Sequence, residues 1–194
     1  MLQSILFTLL SFFITKGTEH IQETYKIDTK TSQITWLGKK VTGQHTGTIQ
    51  LKEGSFIFDK KQLTGGSFVV DMTSLINKDL EGEWKQKLEG HLKSDDFFGV
   101  TSYPTAKFVI TQAVPQGPNK YKVTGEMTIK GKTNSVKFNA VFNQTDDKVT
   151  GTSTIVIDRS DYDVKYGSGS FFDNLGDKTI YDDFELTVKI VAIK

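Results

Sequence analysis

Cysteine is absent from this 194-residue chain, which excludes thiolate metal sites, iron–sulfur clusters, cysteine nucleophiles and disulfide staples together. Stability must come from packing. The absence does not locate the protein, because export permits disulfides without requiring them. An excess of either charge is lacking as well: 24 Lys and Arg face 23 Asp and Glu, for a net charge of +1. No chain-wide basic field exists to hold a polyanion, so nucleic acid is not an expected partner. Hydrophobic residues, at 37%, are too few for a multi-span membrane protein. What the chain has in quantity is phenylalanine, 14 residues beside only 2 Trp, in a length that suits one domain near the upper end for a single β-barrel.

Residues 5–14, Ile-Leu-Phe-Thr-Leu-Leu-Ser-Phe-Phe-Ile, form an apolar run followed by Lys16 and Gly17. A bilayer span needs about 20 apolar residues, so a secretory signal peptide over residues 1–17 is the expected reading. No Lys or Arg precedes the run and no A-x-A site follows it. Cleavage near Gly17 removes one basic residue, Lys16, and leaves a near-neutral exported chain without a stable membrane span and without a Cys for lipid attachment. The expected location is periplasmic or secreted, and residues 18–194 are expected to form one β-barrel domain.

Beyond residue 25, alternation with period two recurs. It runs through Phe68, Val70 and Met72; Ala106, Phe108 and Ile110; Tyr121 to Ile129 in steps of two; Val136 to Phe142; and Phe184 to Ala192. Further strands are expected at 33–41, 45–51, 55–58 and 148–157, giving eight or nine. One apolar and one wet face per strand is the mark of an antiparallel sheet covered on one side. Turn signals stand at Glu53-Gly54, Gly65-Gly66, Pro115 to Asn119, Lys130-Gly131-Lys132 and Asp146-Asp147. One short helical segment is expected within about 74–93, where Leu80, Trp84, Leu88 and Leu92 recur every four residues, with Gly90 as its stop and Ser94 capping a following turn. It would cover one end of a barrel.

Closure into a barrel removes the exposed edges that a sandwich must protect, and about eight strands leave an interior just wide enough for one small ligand. The inward set is rich in Phe, Val, Ile and Met. Periodicity leaves two cases open: an interior filled by its own side chains, or one that holds an apolar guest.

His91-Leu-Lys-Ser-Asp-Asp-Phe-Phe98 followed by Tyr103-Pro-Thr-Ala-Lys-Phe108 resembles the HL-x-S-x-DFF…YP-x-x-x-F signature of the YceI-like family of lipocalin-like, polyisoprenoid-binding proteins. Val123-Thr-Gly-Glu-Met-Thr-Ile-Lys-Gly131 with Val136 is similar to that family's V-x-G-x-L-T-I-x-G…V hairpin. Ile157-Asp-Arg-Ser-Asp-Tyr162 and Asp183-Phe-Glu-Leu-Thr-Val188 resemble its late strand segments. The resemblance runs in order from about Tyr25 to the C-terminus. It implies an all-β fold, a lipocalin-like extended antiparallel β-barrel of about eight strands with a long apolar tunnel, an exported location and an amphiphilic lipid ligand.

On that reading the tunnel wall is expected from Trp36, Phe56, Phe58, Phe68, Phe108, Met127, Phe138 and Phe142, each with core packing as the duller alternative. A buried lipid tail gains roughly 0.8 kcal/mol per methylene, so aromatic lining suffices without a charged anchor. His45 and His91 are head-group candidates, able to hydrogen-bond a quinone oxygen or a phosphate. Arg159, the sole arginine, suits a diphosphate, although an ion pair with flanking Asp158, Asp161 or Asp163 is its default role. In the loop 166–176, Gly167 and Gly169 suit positive φ, and Phe171-Phe172 are expected to dock onto the barrel mouth.

The catalytic motifs that Ser, phosphate or dinucleotide chemistry needs are absent, as are HExxH and calcium-loop spacings. Asn143-Gln-Thr145 is a formal glycosylation sequon whose meaning depends on the host. No cofactor is expected beyond a bound isoprenoid lipid or quinone-like ligand, and nothing in the composition excludes a homodimer. The expected function is a non-enzymatic carrier or sequestering protein for an apolar lipid-like molecule. The rival is an interaction or stress-protection protein with a solid barrel and a partner-binding loop over 166–183. An enzyme would instead be marked by a His with a carboxylate neighbour opening onto the cavity.

Overall fold

The structure is a computed structural model describing residues 22–194, so the apolar run and expected cleavage site lie outside the described residues. Nine strands follow in the order β1 Gln22–Ile27, β2 Gln33–Lys40, β3 Gly43–Asp59, β4 Gln62–Asn77, β5 Thr105–Pro115, β6 Lys120–Ile129, β7 Lys132–Gln144, β8 Lys148–Asp158 and β9 Ile180–Ile193, with helix α1 Gly82–Lys93 between β4 and β5. Every strand ladder is antiparallel. The ring runs β3-β2-β9-β8-β7-β6-β5-β4 and closes through β3–β4. The ninth strand shares one place in it: β2 pairs with the first half of β3 and β1 with residues 55–59, while both reach β9. The fold is thus a closed eight-position antiparallel barrel with one helix.

Alternation positions the interior. In β6, Tyr121, Val123, Gly125, Met127 and Ile129 are all buried while the residues between them face outward. The β6–β7 turn falls at Lys130-Gly131 as expected, both at positive φ (48° and 72°), which gives the primed turn whose twist suits a hairpin. The β3–β4 turn has the same form but uses Lys60 and Lys61 (φ 49° and 66°), residue types that do not signal it.

Two expected turns are overturned. Glu53-Gly54 and Gly65-Gly66 lie inside the long strands β3 and β4, where Gly54 pairs with Phe68 and Gly66 with Phe56 beside a bulge after Leu51. A Cβ on Gly54 would stand 2.7 Å from the Ser67 carbonyl, and one on Gly66 2.7 Å from that of Ser55. The glycines mark close backbone approach on a bent ribbon rather than a reversal.

The helical expectation over about 74–93 is also shortened, because residues 74–77 continue β4. Helix α1 begins at Gly82, whose φ of +57° separates it from the preceding chain, and it runs through Gly90 to Lys93. Ser94 ends it: its N and Oγ both donate to the His91 carbonyl, at 3.1 and 2.8 Å. Its side chain therefore does not cap the next turn, whose amides at Phe97 and Gly99 reach the Ser94 carbonyl instead. The expected stripe is partial: Leu88 and Leu92 are half-buried, but Trp84 is 71% exposed. Asn77, fully buried, anchors the linker to α1; its amide N donates to Glu89 Oε1 at 2.7 Å and its side chain to the Thr46 carbonyl at 3.0 Å.

The end opposite the helix is sealed. Tyr25, Phe56, Phe58, Tyr121 and Phe142 meet edge to face, with centroids 5.1 Å apart for Phe56–Phe142 and 5.7 Å for both Tyr25–Phe58 and Tyr121–Phe142. Each such pair adds about 0.5–1.5 kcal/mol beyond area burial. The Tyr25 hydroxyl donates to the Asp146 carbonyl and accepts from Gln144 Nε2, and Lys194 pairs with Glu23 at 2.8 Å.

At the helix end, β7 and β8 pair only from Ala140–Ser153 to Gln144–Val149, and the 3-10 turn Arg159–Tyr162 crosses to β7, where Asn134 Nδ2 donates to the Asp161 carbonyl at 2.8 Å. Tyr162 is buried in the core and its hydroxyl has no hydrogen-bond partner among the described residues. Burial, with Asp161 and Glu126 nearby, pushes its pKa up to about 12. A phenol held neutral in the fold but ionising near pH 10 when unfolded leaves stability intact below about pH 10 and lowers it as pH rises toward 12, by on the order of 2–3 kcal/mol. Urea unfolding in that alkaline window should show the loss in the wild type and a flatter profile in Tyr162→Phe, which is expected to be no less stable at neutral pH. Parallel alkaline profiles would refute this.

Candidate functional site

The barrel is not filled evenly. On β8 two successive inward positions are Gly151 and Ser153, while β7 contributes Ala140 and β6 Gly125. Ser153 turns its hydroxyl away, to the Asn139 carbonyl at 2.8 Å. Beside these small residues, Val136 and Phe138 on β7 and Phe184, Leu186 and Val188 on β9 occupy inward places in their strands yet are only half-buried. The missing volume is a cavity of about 90 Å³ walled by Phe56, Phe68, Phe108, Phe138, Phe142 and Met127 among others. Toward the helix lies a second cavity, of about 130 Å³, beneath Leu92, Phe97 and Phe98. The two share Ile34, Val70, Met127 and Leu186 as wall, so they adjoin inside the barrel, separated in part by Met127, whose thioether stem adapts to irregular shapes. One water needs about 10–15 Å³ on the same measure, so either compartment has room for several atoms of a guest.

The upper cavity leads to a surface groove of about 370 Å³, through the shared residues Trp36, Gly38, Lys39, Leu92, Phe97 and Ile180. One bank of the groove is α1, with Leu88 and His91; the other is the loop before β9, with Tyr166, Asp177 and Lys178. Their rings join the banks, since Tyr166 packs edge to face on His91 at 4.4 Å.

Seven of the eight expected wall residues, Trp36, Phe56, Phe68, Phe108, Met127, Phe138 and Phe142, border these spaces. Phe58 does not: it is 1% exposed, lies in the aromatic plug, and borders neither cavity. Residues not singled out beforehand complete the wall, above all Phe97, Phe98 and Phe184. Phe97 and Phe98 lie in the turn after α1, which conceals their burial from a periodicity reading, whereas Phe184 was legible from its place in the last alternating strand. The clearest unused signal was the pair of small inward residues Gly151 and Ser153.

His45 and His91 both line the mouth groove. His91 Nε2 and Trp36 Nε1 are buried without a hydrogen-bond partner among the described residues. His45 Nδ1 lies 2.8 Å from Asp79 Oδ2, the His–carboxylate neighbourhood that an enzyme would need. Asp79 is already committed, however, since its Oδ1 accepts from Thr46 N at 2.8 Å and from Asn77 Nδ2, and the groove lining carries no Ser, Thr or Cys. These bonds hold the Asp79 carboxyl below its ordinary pKa against the opposing cost of burial.

Arg159 is 2% exposed and is spent on the fold. It donates through Nε to the Tyr181 carbonyl at 3.1 Å, Nη1 to Val164 at 2.6 Å and Nη2 to Ile180 at 2.9 Å, with Asp182 Oδ1 at 3.1 Å from Nη2. The expected ion-pair partners do not serve: Asp158 accepts from Ser160 N, and Asp163 pairs with Lys165. Arg159 still borders the upper cavity, with its guanidinium 5.5 Å from the Phe97 ring centroid. Phe171 and Phe172 do not dock onto the mouth either, being 48% and 51% exposed. Gly167 has the expected positive φ (63°), whereas Gly169 does not. Among the described residues no group of three or more acidic or His side chains is placed to hold a metal ion.

The model of the YceI-like domain matches residues 25–192. A UPF0312 protein of Photorhabdus laumondii is 34% identical over 122 residues, which cover 60% of this chain and 59% of that protein. One of Pseudomonas putida is 33% identical over 99 residues, 50% of this chain and 48% of that one. The match therefore spans about half to three-fifths of these relatives' length. Among solved structures, Burkholderia cenocepacia BcnA superposes with a TM-score of 0.66 at 25% identity, covering 86% of this chain and 99% of that one. A polyisoprenoid binding domain from Saccharophagus degradans superposes with a TM-score of 0.62 over 87% and 97% of the two chains; at 13% identity that likeness shows the fold. None of these names denotes a reaction.

Proposed function

We propose, from the premise that the chain belongs to the YceI-like domain family, that it is an exported, non-enzymatic protein that carries or sequesters an isoprenoid lipid or a similar long apolar amphiphile inside its barrel. The observation that carries this reading is the pair of adjoining apolar cavities, the upper one bordering the groove at the helix end and the lower one walled by Phe56 and Phe142 of the aromatic plug. A tail lies along Met127 toward Phe138 and Phe142, and its desolvation at roughly 0.8 kcal/mol per methylene supplies the affinity. The head group stays at the mouth, near His91 and His45. The unpartnered His91 Nε2 and Trp36 Nε1 support a polar group arriving there, since buried polar atoms ordinarily have partners. Arg159 is withdrawn from the head-group role by its three carbonyls and Asp182. The polyisoprenoid-binding neighbour supports the ligand class. The cavities weigh against the rival reading of a solid barrel with a partner-binding loop.

Organic extraction of the purified protein followed by mass spectrometry tests the proposal. A long-chain apolar compound in near-equal amount to protein is expected. Clean material that also fails to take up isoprenoid quinones or fatty amides would overturn it.

A further inference from the structure

The two elements that border the channel mouth, α1 and the loop before β9, each carry aromatic side chains that face solvent. Trp84 is 71% exposed on α1, and it stands seven residues before His91, two helical turns away on the same side. That side lines the groove with Leu88 and His91, so Trp84 extends the α1 bank outward. Phe171 and Phe172 are about half exposed in the loop that supplies Tyr166 and Asp177 to the opposite bank, and the backbone there is tied down. The Phe171 and Phe172 amides both donate to the Ser168 carbonyl, at 3.2 and 3.0 Å; the fully buried Ser168 and its neighbour Ser170 donate through Oγ to Asp182 Oδ2, at 2.9 and 2.6 Å. The fold thus fixes the backbone that presents two large apolar rings to water, in a loop that borders the groove.

On the groove lining itself, charge has one sign in excess. Lys39, Lys40 and Lys178 line the groove with Asp177 as the one carboxylate among its lining residues, and none of these lysines has a carboxylate within 4 Å among the described residues. Lys87 lies 5.0 Å over the Trp84 ring and is paired with Glu83 at 2.7 Å, and Lys165 lies 4.9 Å over Phe171 and is paired with Asp163 at 2.7 Å, so the unpaired positive charge is that of the groove lysines. Exposed Trp and Phe with adjacent Lys is the combination that settles at a membrane interface, rings among the acyl boundary and ammonium groups at the head groups.

We propose that the rim formed by Trp84, Phe171 and Phe172 docks the channel mouth onto an anionic phospholipid bilayer, so that an apolar ligand passes between membrane and barrel without crossing water. This rests on the carrier reading above, but it concerns a surface outside both cavities, and the two can fail separately.

The two tryptophans permit a direct test on the full chain. Vesicles of phosphatidylglycerol and phosphatidylcholine, with bromine on the acyl chains near the head group, should quench Trp84; pure phosphatidylcholine vesicles should quench it less, and added salt should weaken the effect. The residual emission in Trp84→Phe comes from Trp36 inside the barrel and should resist quenching. Phe171→Ser/Phe172→Ser should raise the lipid concentration needed for half-quenching by about tenfold, the loss of roughly 1.4 kcal/mol expected when two partly inserted rings are removed. The N-terminal segment is the same in every variant, so the difference reads the rim. Uptake of an isoprenoid quinone delivered from detergent should be unchanged in the double variant, while its uptake from vesicles slows. Trp84 left unquenched, quenching unaltered by the double variant, or protection of Trp84 by self-association without lipid would each overturn the docking proposal. Failure of detergent-delivered uptake in the wild type would count against the carrier reading alone.

Discussion

Phe138→Asp is expected to fold and to lose apolar ligand uptake by at least about a hundredfold. Phe138 is half-buried at the wall of the lower cavity, with its ring 5.5 Å from that of Phe108. The substitution removes an aromatic contact with the guest, worth about 1.5–3 kcal/mol. It also sets a carboxylate against an apolar chain, and burying an unpaired ion costs several kcal/mol more. A loss of 2.7 kcal/mol already corresponds to about a hundredfold in affinity. Because the side chain borders empty space, the stability cost should be smaller than for Phe108→Asp, whose ring is packed between Phe68 and Phe138. Phe138→Leu, which keeps the wall apolar, should bind within about tenfold of the wild type. Circular dichroism and urea unfolding establish that each variant is folded; a folded Phe138→Asp protein that takes up isoprenoid quinone normally would remove this residue from the site.

The barrel was legible because period-two alternation is a property of single strands, and β6, β7 and β9 carry it along their length, with β5 doing so as far as the bulge after Ile110. Where the chain bends hard it was misread. Gly54 and Gly66 looked like turn residues, but they are needed where the β3 and β4 backbones approach each other, a tertiary demand that looks the same as a reversal in one dimension. The true reversal between them uses Lys60 and Lys61, which pay a small conformational cost at positive φ that no composition rule flags. The channel was half legible. Large inward residues named much of its wall, yet a list of large residues also describes a solid core, and Phe58 belongs to the solid part. What separates the two is where small residues stand opposite large ones, and Gly151 and Ser153 acquire that meaning only once β8 is set across the barrel from Phe56 and Phe68. The role of Arg159 was hidden for a similar reason: its partner Asp182 is 23 residues away, well beyond the flanking Asp158, Asp161 and Asp163.

Asp182→Leu should be among the most destabilising single substitutions at the mouth. Asp182 is the carboxylate beside the buried Arg159, and it also receives the Ser168 and Ser170 hydroxyls. Burial pulls the Arg159 pKa below its ordinary value, and Asp182 followed by Asp158 opposes that fall. The guanidinium remains charged at any pH the fold survives, so removing the carboxylate leaves a buried cation with carbonyls alone. Breaking one side of such a pair costs about 3–5 kcal/mol, which for a chain of this size lowers the melting temperature by roughly 10 °C. Adding Arg159→Met should recover much of the loss, because a pair replaced by apolar groups no longer contains an orphaned charge. Hydrogen exchange should locate the damage in residues 164–180, with the plug at Tyr25, Phe56 and Phe142 still protected, since no bond of Asp182 reaches it. A loss below about 1 kcal/mol, or a double variant as unstable as the sum of the singles, would show that the ion pair is not what holds the loop. The same loop carries Phe171 and Phe172, so in Asp182→Leu the rim should lose its rigidity, and vesicle-dependent uptake should slow even where the cavity wall is intact.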